Sequence, residues 1–451
     1  MARRTARARK ILYVTPEVAP LATTGGLGDV AGALPPTLRA LGHDVRVVMP
    51  YYRAVKEKGI AVQPVGSVFP VPLGERNESC QILQAEMQGG VPLYLVQKDK
   101  YYDREFLYGP PQGDYPDNAE RFIFFCRAIP EMVRREVFHP EVIHANDWQT
   151  GLIPVYLKTL YREDPRLQGI KTVFTIHNLA YQGLFWYFDL PLTGLPPSLF
   201  SPEGIEFYGK ISLMKAGIVF ADVINTVSKK YREEIQTEAF GCGLDGVLRA
   251  RRHVLYGILN GVDYQEWNPA TDRYIVAHYD PEHLEGKRLC KQDLLSWYGL
   301  PQDEEKPVIG MVTRLVEQKG CDLVAEAMDR LLALGVSFVL LATGEERYQQ
   351  LFQTLRQRYP AQVGVRIEFN HALAHKVVAG ADMLLMPSRF EPCGLTQIYA
   401  LKYGTIPVVH ATGGLDDTIQ NYKVKTGRGN GFKFQEYSAT ALLQKVEEAL
   451  T

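Results

Sequence analysis

The sequence predicts an α/β protein built from two doubly wound, Rossmann-like domains, each a parallel sheet between layers of helices. Three observations carry this. At 451 residues the chain is too long for one ordinary core and suggests two domains of about two hundred residues each. Short β-rich runs alternate with helical patterns in both halves, the signature of βαβ units. Two Gly-Gly turns of nearly the same spelling stand near opposite ends, Thr24-Gly25-Gly26-Leu27-Gly28-Asp29 and Thr412-Gly413-Gly414-Leu415-Asp416-Asp417. Each follows an apolar run and precedes a segment that can continue as a helix.

Taken in order, the strand candidates of the first half are residues 11–14, 45–49, 93–96, 142–144, 173–176 and 223–227, separated by amphipathic stretches or Gly/Pro turns. From about Tyr256 the texture breaks: Gly257, Asn260-Gly261 and Trp267-Asn268-Pro269 form an irregular segment that reads as a linker. The expected domains are therefore 1–255 and 256–451. The second series runs through a strand at 308–312, a helix at 321–334, and strands at 337–342, 366–369, 383–386 and 406–409. Residues 439–450 read as an amphipathic helix. There is no low-complexity tract, and the echo of the two Gly turns is too short to be an internal repeat.

Composition excludes several classes. Hydrophobic residues make up 46% and charged residues 22%, as in globular domains, and the net charge of −1 gives no field to recruit nucleic acid or an acidic membrane. The basic stretch of Arg3, Arg4, Arg7, Arg9 and Lys10 reads as a solvated arm. No secretory signal follows it, and no apolar run is long enough to span a bilayer. The six cysteines are scattered without a C-x-x-C pair, which suits a reduced cytosolic chain without structural zinc. The ten histidines are read as offering no H-x-x-x-H pair with an acidic partner nearby, so no metal site is expected.

The residues that carry chemistry cluster after the strands. Adjacent glycines let a backbone approach a ligand, and a helix N-terminus offers free N–H groups and a positive dipole end. The two Gly-Gly turns therefore suggest half-sites closing on one anionic ligand, in a cleft between the domains. Arg314 and Lys319, in Thr313-Arg314-Leu315-Val316-Glu317-Gln318-Lys319-Gly320, are placed to hold a diphosphate rather than to be two solvated cations. In Pro387-Ser388-Arg389-Phe390-Glu391-Pro392-Cys393-Gly394-Leu395-Thr396-Gln397, Glu391 can accept from sugar hydroxyls while amides near Cys393-Gly394 face an anion; the bland alternative is a cap. His177 and Asn178 end another strand, where the histidine is as fit for structure as for catalysis. Asp147 can bond a hydroxyl, orient His177, or cap the next helix, and spacing alone favours the cap. Aromatic clusters at Tyr101-Tyr102 and Phe185-Trp186-Tyr187-Phe188 can stack on sugar rings or pack a core.

With these strings in view, the chain resembles the bacterial glycogen synthase and plant starch synthase family, retaining glycosyltransferases of the GT-B type. The resemblance rests on residues 24–30, 144–151, 175–183, 240–248 (FGCGLDGVL), 260–267, 314–320, 388–399 (with FEPCGLTQ) and 412–417, in the family's order. It implies a glucan synthase that moves glucose from ADP-glucose to the non-reducing end of an α-1,4-glucan (glycogen or starch), with retention and no cofactor or essential metal. By the same resemblance Arg314 and Lys319 bind the diphosphate, and the amides of Gly25, Gly26, Gly413 and Gly414 cradle it. His177 and Asp147 line the glucose pocket, Glu391 binds sugar hydroxyls, Asn260 faces the sugar, and Cys393, Gly394, Leu395 and Thr396 belong to the substrate loop. Phe369 stands where the family offers a Tyr to the adenine ring. Front-face displacement is the mechanism the family implies.

Two departures are visible. Thr23 occupies the position of the family's first-loop lysine, whose charge a threonine lacks, so weaker donor affinity or altered donor choice is expected. Family members also run several tens of residues further, through a last helix that crosses back to the first domain; its absence is expected to expose an apolar groove and loosen domain closure. UDP-glucose as donor, another acceptor, and a non-catalytic glucan-binding relative stay as alternatives. The short, Ser-poor N-terminus favours bacterial cytosol over a plastid address.

Overall fold

The computed structural model describes residues 7–110 and 112–451; Arg3 and Arg4 of the basic stretch lie outside them. Of the rest of that stretch, Arg9 pairs with Glu141 at 2.9 Å and Lys10 already begins a strand, so it is no free arm. The chain divides into two compact units. One comprises the residues up to Val227 together with Arg232–Gly261, the other Ser228–Tyr231 and Val262–Thr451.

The first unit is organised by a nine-stranded sheet. Its strands are β1 (Lys10–Val14), β2 (Asp44–Pro50), β3 (Gln63–Leu73), β4 (Arg76–Met87), β5 (Val91–Gln97), β6 (Val142–Asn146), β7 (Lys171–Ile176), β8 (Val223–Thr226) and β9 (Leu255–Gly257). They lie in the order β9-β8-β7-β6-β1-β2-β5-β4-β3, parallel except where β4 pairs with β5 and β3. The central strands are continuous apolar runs because both their faces are covered, as with Leu12, Tyr13 and Val14 of β1. Helix α1 (Gly26–Ala40) follows β1, and α2 (Asn118–Arg134) is buried along almost its whole length. The β3–β4 hairpin is not among the strands expected. Pro64, Gly66, Pro70 and Pro72 interrupt its alternation, and β3 tolerates them because it is an edge strand. A boundary after residue 255 would cut through β9.

After the stretch from Val262, the second unit forms α3 (Glu285–Tyr298), absent from the expected elements and ended by Gly299 in the left-handed region. There follow β10 (Val308–Leu315), α4 (Cys321–Ala333), β11 (Ser337–Gly344), β12 (Val363–Ile367), α5 (His371–Gly380), β13 (Met383–Met386), α6 (Thr396–Lys402), β14 (Ile406–His410), α7 (Gly413–Thr418), β15 (Phe432–Phe434) and α8 (Ala439–Leu450). The sheet is parallel with order β12-β11-β10-β13-β14-β15, the 3-2-1-4-5-6 winding of a dinucleotide-binding domain. Its core gathers Met328, Leu331, Phe338, Phe352 and Phe434 with Leu442, Leu443 and Val446 from α8. Ser438 caps α8 by accepting from the Ala441 amide. The short Ser228–Tyr231 segment is tied in where the amides of Lys229 and Lys230 donate to Asp417 Oδ2 at 2.6 and 2.9 Å. The strand expected at 366–369 is displaced. It starts at Val363 and stops at Ile367, since Gly364 hides its beginning, and Phe369 falls beyond it.

Among the described residues no helix is long and apolar enough to cross a membrane. In each sheet the winding direction reverses between two neighbouring strands, β1 and β6 in the first, β10 and β13 in the second. The carboxyl ends of strands at such a reversal leave a crevice where ligands of open α/β sheets bind.

Candidate active site

In the first unit the loop after β1 is organised by a residue that sequence reading passed over. Glu17 is buried and accepts from the Thr24 amide (2.6 Å), the Thr24 hydroxyl (2.8 Å) and the Tyr108 hydroxyl (2.6 Å). Burial pushes its carboxyl up, against the pull of these donors. The only signal available was an acidic residue just past a buried strand. Gly25 is extended, with open space where a side chain would go, and α1 begins at the exposed Gly26. Thr23 folds its hydroxyl onto the Gly25 carbonyl at 3.0 Å and lies over Gly28, where any Cβ would collide with it.

At the ends of β6 and β7 Asp147 reaches toward the neighbouring strand end. It makes no capping bond; its Oδ1 accepts from the His177 amide at 2.7 Å. To reach across, its backbone adopts φ 55°, ψ −179°, a conformation costing on the order of 1–3 kcal/mol for a residue other than glycine. Burial pushes its carboxyl up to about 8, opposed by the His177 and Asn178 amides and assisted by Glu17. The His177 ring is held by another residue: its Nε2 lies 3.0 Å from Asn146 Oδ1. That oxygen also accepts from the Tyr13 hydroxyl, while Asn146 Nδ2 donates to the Val14 carbonyl. The proton therefore sits on Nε2, leaving Nδ1 as an acceptor. Burial, with His144 nearby, depresses His177 to about 3, so the ring is neutral at physiological pH.

This arrangement carries a pH signature. A carboxyl whose folded-state pKa is raised contributes stability that is full below its unfolded value near 4 and is lost as pH rises through 8. His177 and His144 are depressed, so their contributions are present above about 6.5 and lost only on the acid side. Between pH 6.5 and 8 Asp147 is thus the group that titrates among the three. Urea unfolding is expected to show the native chain losing roughly 2 kcal/mol across that window, and Asp147→Asn losing clearly less. Equal losses in both proteins would contradict the assignment.

In the second unit three loops meet at the carboxyl ends of β10, β13 and β14. Arg314 is exposed near the end of β10. Lys319 and Glu391, expected to act on different parts of a ligand, form one ion pair at 2.6 Å with side chains 18% and 7% exposed. Ser388 Oγ donates to the same carboxylate oxygen, Oε2, at 2.9 Å, and the Ser388 carbonyl lies 2.7 Å from His410 Nδ1. The Gly414 amide donates to the Glu391 carbonyl at 3.0 Å. A Cβ at Gly413 or Gly414 would strike the carbonyls of Glu391 and Cys393. This second Gly-Gly turn is therefore small because two loops pack on each other, whereas Gly25 faces open space. Gln397 closes the turn, its Nε2 donating to the carbonyls of Cys393 and Gly394 at 3.0 Å. Cys393 and Leu395 are buried there, and Thr396 opens α6.

The remaining candidates belong to other elements. Asn260 is half-buried after β9 in the first unit, and Phe369 is 81% exposed between β12 and α5. Tyr101 and Tyr102 are fully buried and belong to the core, which rules out sugar stacking. Trp186, Phe188 and Tyr208 are largely exposed on or beside a small three-stranded antiparallel sheet (Leu184–Trp186, Glu206–Phe207, Lys210–Ser212). Contrary to expectation, the histidines do include a pair with an acidic neighbour. His371-x-x-x-His375 is an H-x-x-x-H pair on α5, and its acidic partner, Glu266, is remote in sequence but adjacent in space.

Residues 10–250 match the family described as the starch synthase catalytic domain, and residues 299–451 match glycosyl transferases group 1. A glycogen synthase of Koribacter versatilis is 49% identical over 442 residues, covering 98% of this chain and 90% of that protein. Glycogen synthase 2 of Geobacter sulfurreducens is 47% identical over 441 residues, covering 98% and 91%. Among solved structures, the catalytic domain of starch synthase IV from Arabidopsis thaliana, bound to ADP and acarbose, superimposes with a TM-score of 0.90 at 31% identity, covering 98% of this chain and 91% of that one.

Proposed function

Because the chain belongs to the starch and glycogen synthase family and is a glucan synthase of GT-B fold, we propose that it takes glucose from ADP-glucose. The glucose passes to the non-reducing end of an α-1,4-glucan with retention, in the bacterial cytoplasm. The observation that carries the donor half is the Lys319–Glu391–Ser388 cluster at the winding reversal of the second sheet, with Arg314 at the carboxyl end of β10, the strand that leads to Lys319. When the glucosyl bond breaks, negative charge grows on a phosphate oxygen of the leaving diphosphate. A guanidinium and an ammonium fixed beforehand stabilise that charge without reorganising at the moment of reaction. Glu391 spends Oε2 on Lys319 and Ser388, and its Oε1 accepts a sugar hydroxyl. Phe369 stacks on the adenine.

In the first unit the neutral His177 serves as a hydrogen-bonding wall for glucose, with Asn260 contributing a further contact. Asp147 is engaged with the His177 backbone and held largely protonated at neutral pH, which suits a positioning role and not that of a nucleophile. Front-face displacement fits that role better than a covalent intermediate. The amides of Gly25 and Gly26 at the start of α1 add donors for an anion. The exposed Trp186 and Phe188 offer rings for the glucan chain.

Donor choice is tested by measuring nucleotide release with glycogen present. kcat/KM for ADP-glucose is expected to exceed that for UDP-glucose at least tenfold, and equal use of both would overturn the proposed donor. Thr23→Lys supplies a charge-assisted hydrogen bond that the hydroxyl cannot, worth about 1.5–3 kcal/mol. It is expected to lower the KM for ADP-glucose roughly tenfold or more; an unchanged KM would show that position 23 does not meet the donor.

A further inference from the structure

We propose that Glu266, His371 and His375 form a binding site for a divalent transition-metal ion of the zinc type, separate from the glucosyl-transfer residues. His371 and His375 lie one turn apart at the start of α5, and their Nε2 atoms are 3.3 Å apart. Two imidazoles on one tetrahedral ion, each about 2.0–2.1 Å from it, must stand about 3.3 Å apart. Glu266 Oε1 lies 2.9 Å from His371 Nε2, and the three ligand atoms fall within 4.8 Å of one another.

The proton count at this cluster shows why a cation belongs there. His375 is fully buried, and its Nδ1 lies 2.7 Å from Asp272 Oδ2. That carboxylate oxygen also accepts from the Tyr403 hydroxyl at 2.6 Å, and the other oxygen accepts from the Tyr274 amide at 2.8 Å. With a hydroxyl and an amide already donating to it, this carboxylate meets the His375 ring as an acceptor. The His375 proton is therefore on Nδ1, and its Nε2 is a bare lone pair. That lone pair and the Glu266 carboxylate converge on one atom, His371 Nε2, whose single proton can satisfy only one of them well. A metal ion satisfies all three at once.

The surroundings are those of a supported ligand set. Asp272, His375 and the ion would make a carboxylate–histidine–metal relay, which fixes the tautomer and orientation of the buried ligand. Trp267 stacks face to face between His375 (3.7 Å) and Tyr399 (4.0 Å), and Tyr274 packs against both histidines, so the rings cannot swing away. His371 and Glu266 are 45% and 41% exposed, giving the ion a path in and room for water as a fourth ligand. Two imidazoles and a carboxylate favour zinc over calcium or magnesium, which take oxygen ligands. Glu266 lies in the stretch that opens the second unit, so the ion would pin that stretch to α5.

The test is titration of the chelator-treated, full-length chain with Zn2+ by calorimetry, and with Co2+ by visible absorption. One equivalent is expected to bind. The Co2+ bands should be those of a four-coordinate nitrogen and oxygen site, without thiolate charge transfer, which excludes the exposed Cys242. His371→Gln and Glu266→Gln are each expected to weaken Zn2+ binding at least tenfold, while melting in the presence of chelator stays within a few degrees of the native chain. Saturating Zn2+ should raise the melting temperature of the native chain and not that of His371→Gln. Failure to bind one equivalent, binding unchanged by His371→Gln, or a thiolate spectrum would each overturn the site.

Discussion

Arg314→Ala is expected to lower kcat/KM for glucosyl transfer by about two to three orders of magnitude while leaving stability nearly unchanged. Removing one preorganised donor from a site where charge develops costs about 2.7–4 kcal/mol of transition-state stabilisation. Arg314 is the appropriate residue for this measurement because it is exposed near the end of β10, so its loss leaves no cavity. Arg314→Lys keeps the charge and loses the planar fork that grips two phosphate oxygens, and it should recover only part of the rate. The readout is the split between kcat and KM. A group acting on the departing diphosphate lowers kcat, whereas one that merely attracts the donor raises KM and leaves kcat alone. A variant with native kcat would remove Arg314 from the transition state.

Glu391→Ala is expected to destabilise the second unit by about 3–5 kcal/mol, the cost of leaving one member of a buried ion pair without its partner. The stranded group is the Lys319 ammonium, only 18% exposed. Ser388 also loses its acceptor, and Glu391 is 5% exposed, so water does not readily replace the carboxylate. Glu391→Gln keeps an acceptor and should cost less. The double substitution Glu391→Leu with Lys319→Met replaces the pair by apolar side chains and should recover most of the stability while remaining inactive. Urea unfolding of Glu391→Leu, Lys319→Met and the double variant yields the coupling energy directly. Additive losses would mean that the pair does not act as a unit.

Much of this could be read from the sequence, and the parts that could not have physical reasons. The central strands were legible because parallel strands covered on both faces are unbroken apolar runs; Met383–Met386 is an example. The β3–β4 hairpin was not, because an edge strand can hold the prolines that erase a strand's signature. Phe369 was assigned to a strand that ends two residues earlier, where Gly364 had hidden the start of the run. In the site, residue types at strand ends could be identified, but partnerships between loops could not. Lys319 and Glu391 are far apart in sequence, and only the meeting of the β10 and β13 ends makes them a pair. Asp147 read as a helix cap because capping is local and depends on spacing; its actual bond reaches across to the next strand end by way of an unusual backbone. Glu17 carries no motif of its own, and its role comes from the donors folded around it. The His371–His375 spacing was present in the chain, and what hid its meaning was the remoteness of Glu266.

The most direct test of the central claim is ADP release from ADP-glucose, measured with and without glycogen alongside glucose incorporation and the anomeric form of the new linkage. Release is expected to depend on glycogen, with one glucose incorporated per ADP and an α-linkage at the non-reducing end. Release that proceeds equally without an acceptor, or a β-linked product, would contradict it.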